Sequence, residues 1–442
     1  MHKTTHRLAV TAGAITIGLA LAGCSTGGGE TDAATEWSIP AEDPTATVTV
    51  VSIAGLGDDT DGMQHVIDAF EDDHPTITID WQTVPGDQLS SVLETRLGNK
   101  ESTLDLYWAD QPRIPALASR GYALDISDQF GELSDAWQPP ATEGSSFDGK
   151  LYGAPLATST QLLYYNKALL EKAGLDAPSA DPESRVTWEQ LTDDAKKAQD
   201  AGASYGLTFG QVNTYYQLEP LPVSKGGGPG AEGEGNLTPQ LTDQGWKDAM
   251  TWYGSLFADG VAPRGVTDNA SDFLAGKTAY FVEGNWMIDR LAAQNDIDWG
   301  VAAHPKFADG DAVTPTGSWS MAMNPFSANK EAAAIFMKWM TVDDGGNYSR
   351  YRPAPELPAN PEGLTAYLEK DVFQTDEGKK AASLIEYETV NTGVPRLQTV
   401  GYLEFESIIG SAFSDISNGS DPAATLQNAS TELEKAWAKY RK

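Results

Sequence analysis

Thr47-Val48-Thr49-Val50-Val51-Ser52-Ile53 is a β-branched run that stops at Gly55 and Gly57, the pattern of a buried strand ending in a loop. Met63, Val66, Ile67 and Phe70 then recur at helical spacing, with Asp59 or Asp61 placed to cap the first turn and His74-Pro75 to stop it. Ile77-Thr78-Ile79-Asp80-Trp81 reads as a second strand, Leu89 to Leu97 as a second helix, and Leu104-Asp105-Leu106-Tyr107-Trp108 as a third strand. This alternation predicts an α/β fold with a largely parallel sheet, whose ligands bind in the loops at the C-terminal ends of the strands.

Further along the chain, Leu162-Leu163-Tyr164-Tyr165 and Tyr205-Gly206-Leu207-Thr208-Phe209 are predicted strands, with a helix capped by Thr187 and running through Gln199 between them. They point to a second α/β unit. Lys225 to Gly235 reads as a glycine-rich surface excursion, and Trp246 to Phe257 and Lys330 to Met340 as helices. Prolines break the pattern between 351 and 363. Asp421-Pro422 opens a terminal helix with Leu426, Leu433, Trp437 and Tyr440 on one face.

The chain has 442 residues, with 63 acidic against 30 basic side chains, a formal net charge of −33 and one cysteine. Its length favours two or three folding units. Such a charge is repelled by phosphate backbones and anionic lipid surfaces, so no nucleic-acid partner is expected. His2, His6, His65, His74 and His304 leave little material for metal or acid–base clusters, and neither metal nor cofactor is expected. Gly57, Asp59, Asp61 and Gly62 fall on the phase of a calcium loop, but Gly stands where its first Asp belongs and Asp68 where its closing Glu belongs. Gly276-Lys277-Thr278 lacks the earlier glycine of a phosphate loop and leads into a predicted strand.

Lys3 and Arg7 precede an apolar stretch from Leu8 to Ala22, too short to span a bilayer comfortably as a helix of ~20 residues, and read as a cleaved signal over residues 1–23. Leu21-Ala22-Gly23-Cys24 resembles the lipobox of bacterial lipoproteins, which implies Cys24 as an acylated N-terminus. Residues 24–45 are then a flexible tether, because the side chains after Cys24 are small, polar and aperiodic. The expected location is the extracytoplasmic face of a cell membrane, held by a lipid anchor, of the kind found on a Gram-positive cell surface.

Several further stretches resemble, in order and spacing, the extracellular solute-binding proteins of carbohydrate ABC transporters, the group that includes maltose-binding protein. They are Leu104 to Asp110 with Arg113 and Leu117 to Ile126, Gly149 to Pro155, Leu163 to Leu170, Thr187-Trp188-Glu189-Gln190-Leu191, Gly276 to Tyr280 with Glu283-Gly284-Asn285-Trp286, Gly317-Ser318-Trp319, and Gly393-Val394-Pro395 to Tyr402. The resemblance implies a two-lobed periplasmic-binding-protein-like α/β fold of class II type with a hinge. The N-lobe would hold 46–157 and 316–360, and the C-lobe 158–315 and 361–442. It implies a monomer with no enzymatic activity that takes an oligosaccharide in the interlobe cleft and delivers it to the permease subunits of an ABC transporter by hinge closure. Ser159 stands where maltose-binding protein has an acidic residue, and one extra residue separates Trp108 from Arg113, so maltose itself is not implied.

Sugars present apolar faces and a rim of hydroxyls, which flat aromatics and bidentate polar groups complement. The candidate ligand-binding set is Asp58, Asp59, Trp108, Asp110, Gln111, Arg113, Ser159, Thr160, Asn213, Tyr215, Tyr216, Glu283, Asn285, Trp286, Ser318, Trp319, Arg352 and Tyr402. Trp108, Trp286 and Trp319 fall at predicted strand ends and suit either a cleft or a core. Trp81, Trp246, Trp252, Trp339 and Trp437 lie within regular elements and are expected in the core. Two other readings stay open: a surface glycoside hydrolase, which needs two carboxylates at a defined separation, and a binder of peptides or other polar solutes on the same fold.

Overall fold

In the strand Ala46–Ile53, Val48, Val50 and Val51 are buried. It pairs in parallel with Ile77–Val84, Val48 opposite Ile79, and on its other side with Leu106–Asp110, Val50 opposite Leu106. The helix Thr60–Asp73 joins the first two strands and turns Val66, Ile67 and Phe70 into the core, where Phe70 meets Phe336 and Trp339 edge-on. The third strand starts at Leu106 rather than Leu104. The buried Asp105 carboxylate accepts the Thr49 N–H at 2.8 Å and the Ser327 hydroxyl at 2.5 Å, which holds the chain to its neighbours just before the strand proper.

The computed structural model describes residues 37–441 apart from 55–59, 87, 266–267, 295 and 353–355. Cys24, the signal segment, Asp58, Asp59 and the glycine of the calcium-like loop lie outside the described residues. Residues from Ser38 onward form one compact unit with two main sheets and three two-stranded ribbons. The six-stranded sheet runs Leu357–Pro358, Ala154–Thr158, Ser318–Met323, Leu106–Asp110, Ala46–Ile53, Ile77–Val84; the four-stranded sheet runs Trp299–Ala302, Gln161–Asn166, Thr278–Gly284, Tyr205–Phe209.

The expectation of a largely parallel sheet holds only locally. The first three strands of the chain are mutually parallel, as is the pair Thr278–Gly284 with Tyr205–Phe209, but every other pairing within these two sheets is antiparallel. Parallel neighbours need a covering crossover, usually a helix. Ser318–Met323 instead enters its sheet directly from the other lobe and is free to run the opposite way.

The chain passes between the sheets at 158–161 and at 316–318, and leaves the first again after Leu357–Pro358. Beside the second passage, Thr314–Thr316 pairs in parallel with Gly393–Pro395. Glu388, fully buried, ties this ribbon down. Its carboxylate accepts from Arg185 Nη1 at 3.0 Å, the His304 N–H at 3.2 Å, the Thr314 hydroxyl at 3.1 Å and, at closer range, the Thr392 hydroxyl.

The larger lobe core gathers Trp188, Trp246, Tyr253, Phe405, Phe413 and Trp437 around the helices Trp188–Asp200, Gln244–Ala258, Tyr402–Ser417 and Pro422–Trp437. Thr187, Asp243 and Asp421 cap three of these through side-chain oxygens, as their residue types predict. The glycine-rich stretch is only partly a surface excursion. Gly227, Gly230 and Ala231 are buried, and a Cβ on Gly230 would meet Phe405 at 3.0 Å. Gly276 turns at φ +71° directly into the strand Thr278–Gly284, where a phosphate cradle would need a helix. Among the described residues, no helix is long and apolar enough to cross a membrane.

Candidate functional site

The strand Leu106–Asp110 delivers Trp108 and Asp110 to its C-terminal end on one face. Trp108 is buried, with Trp319 at 5.8 Å, Tyr348 at 5.8 Å and Trp81 at 6.1 Å between ring centroids. Trp319, half-buried, comes from the adjacent strand, opposite Asp110. The Asp110 carboxylate is gripped in a fork by Arg396, Nη1 to Oδ2 at 2.9 Å and a second, shorter bond from Nη2 to Oδ1. Arg396 follows the ribbon strand Gly393–Pro395 and lies over the Tyr216 ring at 5.5 Å.

Arg113 ends the short turn Gln111–Arg113. Its Nη2 reaches Glu406 Oε2 at 2.6 Å on the helix Tyr402–Ser417, and its Nη1 meets the Ser90 hydroxyl. Burial alone would lower the pKa of either guanidinium, but nearby negative charge, Glu406 and Asp110 for Arg113 and chiefly Asp110 for Arg396, raises both. Both cations therefore persist. Leu89, Trp108, Asp110, Arg113, Leu117 and Leu403 are among the walls of a small pocket partly open to solvent.

On the other lobe, the strand Thr278–Gly284 carries Glu283 and leads to Trp286. The Trp286 ring covers Gly284 so closely that a Cβ there would sit 2.2 Å from it, and Tyr216 lies 5.9 Å away at 32°. Glu283 is buried against Gly210, its Oε1 accepting the Gly284 N–H at 2.9 Å, and burial pushes its pKa up to about 7. Glu219, fully buried, accepts from the Tyr215 hydroxyl at 2.9 Å, and burial pushes its pKa up to about 8.

Of the residues singled out in the sequence, the structure thus gathers Trp108, Asp110, Arg113, Tyr216, Trp286 and Trp319 where the two lobes meet, while Glu283 is buried within the second lobe. Ser159, Thr160 and Asn285 serve the crossings. Ser159 Oγ bonds the Tyr216 hydroxyl at 2.9 Å and accepts the Gly317 N–H at 2.9 Å, and Asn285 Oδ1 accepts the Thr160 N–H at 3.2 Å. Gln111 is buried and donates to Ala141 O at 3.0 Å and Ser145 Oγ at 3.1 Å. Arg352 is buried with Glu356 at 3.0 Å and Tyr348 in the N-terminal lobe. Tyr215 and Tyr402 belong to the core of the C-terminal lobe, Asn213 is exposed, and Ser318 opens its strand.

Arg396, Glu406 and Glu219 were not singled out. Arg396 sits inside the stretch that carries the resemblance, and an arginine is uncommon in so acidic a chain, but its partner is 286 residues away. Four buried polar atoms near this junction have no partner among the described residues: Trp108 Nε1, Arg113 Nε, Arg396 Nε and Tyr402 Oη. Among those residues no cluster of three or more His, Cys, Asp or Glu side chains could hold a metal.

Two α/β lobes joined by a hinge, with rings and charged hydrogen-bonding groups from both meeting in one cleft, define a two-lobed solute receptor. The chain belongs to the bacterial extracellular solute-binding protein family, whose model matches residues 56–347. It is 25% identical over 407 residues to a mannitol-binding protein of Pseudomonas aeruginosa, covering 86% of this chain and 91% of that protein. It is 27% identical over 326 residues to a maltodextrin-binding protein of Bacillus subtilis, covering 70% and 72%. Among solved structures, an ABC substrate-binding protein of Listeria monocytogenes in complex with cycloalternan superposes with a TM-score of 0.77 at 20% identity, covering 89% of this chain and 99% of that one.

Proposed function

We propose that this protein is the substrate-binding component of an ABC importer, that it captures an oligosaccharide between its lobes, and that an acylated Cys24 holds it at the outer face of the membrane. The carrying observation is the continuity of the cleft. Trp108 and Trp319 on one lobe lead through Asp110 and Arg396 to Tyr216 and Trp286 on the other. Rings from both lobes give stacking platforms for the apolar faces of successive sugar units, and the forked charges between them suit vicinal hydroxyls. Relatives named for maltodextrin and mannitol, and a structural neighbour solved with cycloalternan, support a polyhydroxylated ligand. A ligand touching both lobes stabilises the closed form by its differential affinity, and the permease would read that form.

Hydrolysis finds no comparable support. Asp110 and Glu406 are each tied to a guanidinium, and Glu219 and Glu283 are buried in one lobe. The reading is tested by titrating tryptophan fluorescence with a panel of di- to pentasaccharides, mannitol and short peptides, each mixture then assayed for new reducing ends. A saturable change with an intact saccharide is expected. New reducing ends, or saturation by peptides alone, overturns it.

A further inference from the structure

Glu283 and Trp286 meet at one strand end, and two glycines make room for them. The Glu283 carboxyl rests against Gly210, where a Cβ would run into it, and the Trp286 ring rests on Gly284, where a Cβ would do the same. Gly284 is held through both of its backbone groups: its N–H donates to Glu283 Oε1 at 2.9 Å, and its carbonyl accepts from the Tyr164 hydroxyl at 3.0 Å. The Gly210 N–H donates to Val282 O at 3.0 Å, which fixes the other wall of the carboxyl's seat. The indole therefore lies on a backbone unit that Glu283 ties down. The carboxyl itself is 6% exposed. It is faced by the Tyr164 and Tyr216 hydroxyls, which burial keeps neutral, and by the exposed Arg290 guanidinium on the helix Met287–Ala292, with which it forms no ion pair. Burial raises its pKa to about 7, outweighing the Gly284 N–H and the more distant Arg290 charge, both of which favour the ionised form.

We propose that Glu283 is the positioning residue of Trp286: as a neutral acid it holds the Gly284 N–H and with it the seat of the indole, and loss of its proton to water frees that seat and weakens ligand binding. The effect on binding rests on the cleft being the ligand site; the seating of the ring does not. An ionised Glu283 is a buried charge without a counter-ion in contact, and turning toward water and Arg290 relieves its desolvation. The Gly284 N–H then loses its acceptor, and the ring above it loses a fixed floor. Trp286 thus responds to a proton that neither it nor the ligand carries. The folded chain holds this proton below about pH 7, so affinity is highest there and falls as pH rises through that value.

The test uses the mature chain with Cys24→Ser, labelled with 5-fluorotryptophan and freed of bound solute by unfolding and refolding. The Trp286 resonance is assigned by its loss in Trp286→Phe and followed by fluorine NMR without ligand between about pH 5.5 and about pH 8.5, either side of the midpoint. In the parent it is expected to shift with a midpoint near 7, in Arg290→Gln with a higher midpoint, and in Glu283→Gln to stay at its low-pH position. Maltotriose affinity, measured by calorimetry, is expected to be about fivefold weaker at the upper pH than at the lower in the parent, and equal at both in Glu283→Gln. A Trp286 resonance that ignores pH in the parent, or that moves equally in Glu283→Gln, overturns the positioning role. An equal loss of affinity in both proteins overturns its link to binding. If maltotriose binds at neither pH, the choice of sugar fails while the ligand-free resonance still decides the positioning. Thermal melts at the lower pH, expected to coincide for parent and Glu283→Gln, separate an altered seat from unfolding.

Discussion

Glu219 and Glu283 are acids kept from water, and their position has a pH consequence. Burial raises their pKa values to about 8 and about 7, against 4.5 for a free glutamate. Between those limits the folded chain holds protons that the unfolded chain has released, so stability falls as pH rises from about 5 to about 8. Glu219→Gln removes its share of that slope. Urea melts are expected to give the variant a gain on the order of 1–3 kcal/mol at pH 8 and little difference at pH 5, the size set by how far burial opposes the charge. Equal effects at both pH values would contradict protonation as the cause. At the same scale, Trp286→Ala removes one ring of the proposed platform while leaving Gly284 unshielded. A saccharide Kd about tenfold weaker, corresponding to ~1.4 kcal/mol, is the expected calorimetric result, with most of the thermal stability retained because the side chain is only half-buried.

At the level of elements, the hinge ribbon depends on a carboxylate that belongs to neither of its strands. Glu388 lies in the last turns of the helix Asp376–Asn391 and accepts from Arg185 as well as from Thr314, which opens one ribbon strand, and Thr392, which precedes the other. Glu388→Ala strands a buried guanidinium and is expected to cost about 3–5 kcal/mol in a denaturant melt, with Glu388→Gln costing less because it still accepts. Gly317 is the second sensitive point. A Cβ there would lie 2.6 Å from Ser159 Oγ and 2.7 Å from the Tyr216 ring, so Gly317→Ala forces the two crossings apart. Overpacking of this kind costs about 1–3 kcal/mol. Scattering with ligand bound is expected to show a larger radius of gyration for this variant than for the parent.

Over the whole molecule, the alternation of Ala46–Ile53, Thr60–Asp73 and Ile77–Val84 was legible because β-branched runs and helical spacing are local properties. Caps such as Thr187 and Asp421 were legible for the same reason: the side chain bonds to its own next turn. Strand direction was not. Ser318–Met323 reads as any buried strand, and only its arrival from the second lobe makes it antiparallel to Leu106–Asp110. The rings of the cleft were found because strand ends announce themselves through glycine and polar neighbours, as at Gly284-Asn285-Trp286. Gln111 carries the same local signature as Asp110, yet its amide turns inward to Ala141 and Ser145.

Read alone, the amino-acid order gave the two α/β units, the strongly acidic charge, and the likeness to a receptor family that the match over residues 56–347 bears out. These follow from periodicity, composition and motif order, which need no knowledge of distant neighbours. That Asp110 meets Arg396 and Arg113 meets Glu406, at separations of 286 and 293 residues, is a property of the folded chain. Charge pairing across a cleft is set by where two lobes come together, and no local pattern in a chain with 63 acidic side chains singles out the two that meet an arginine of the facing lobe.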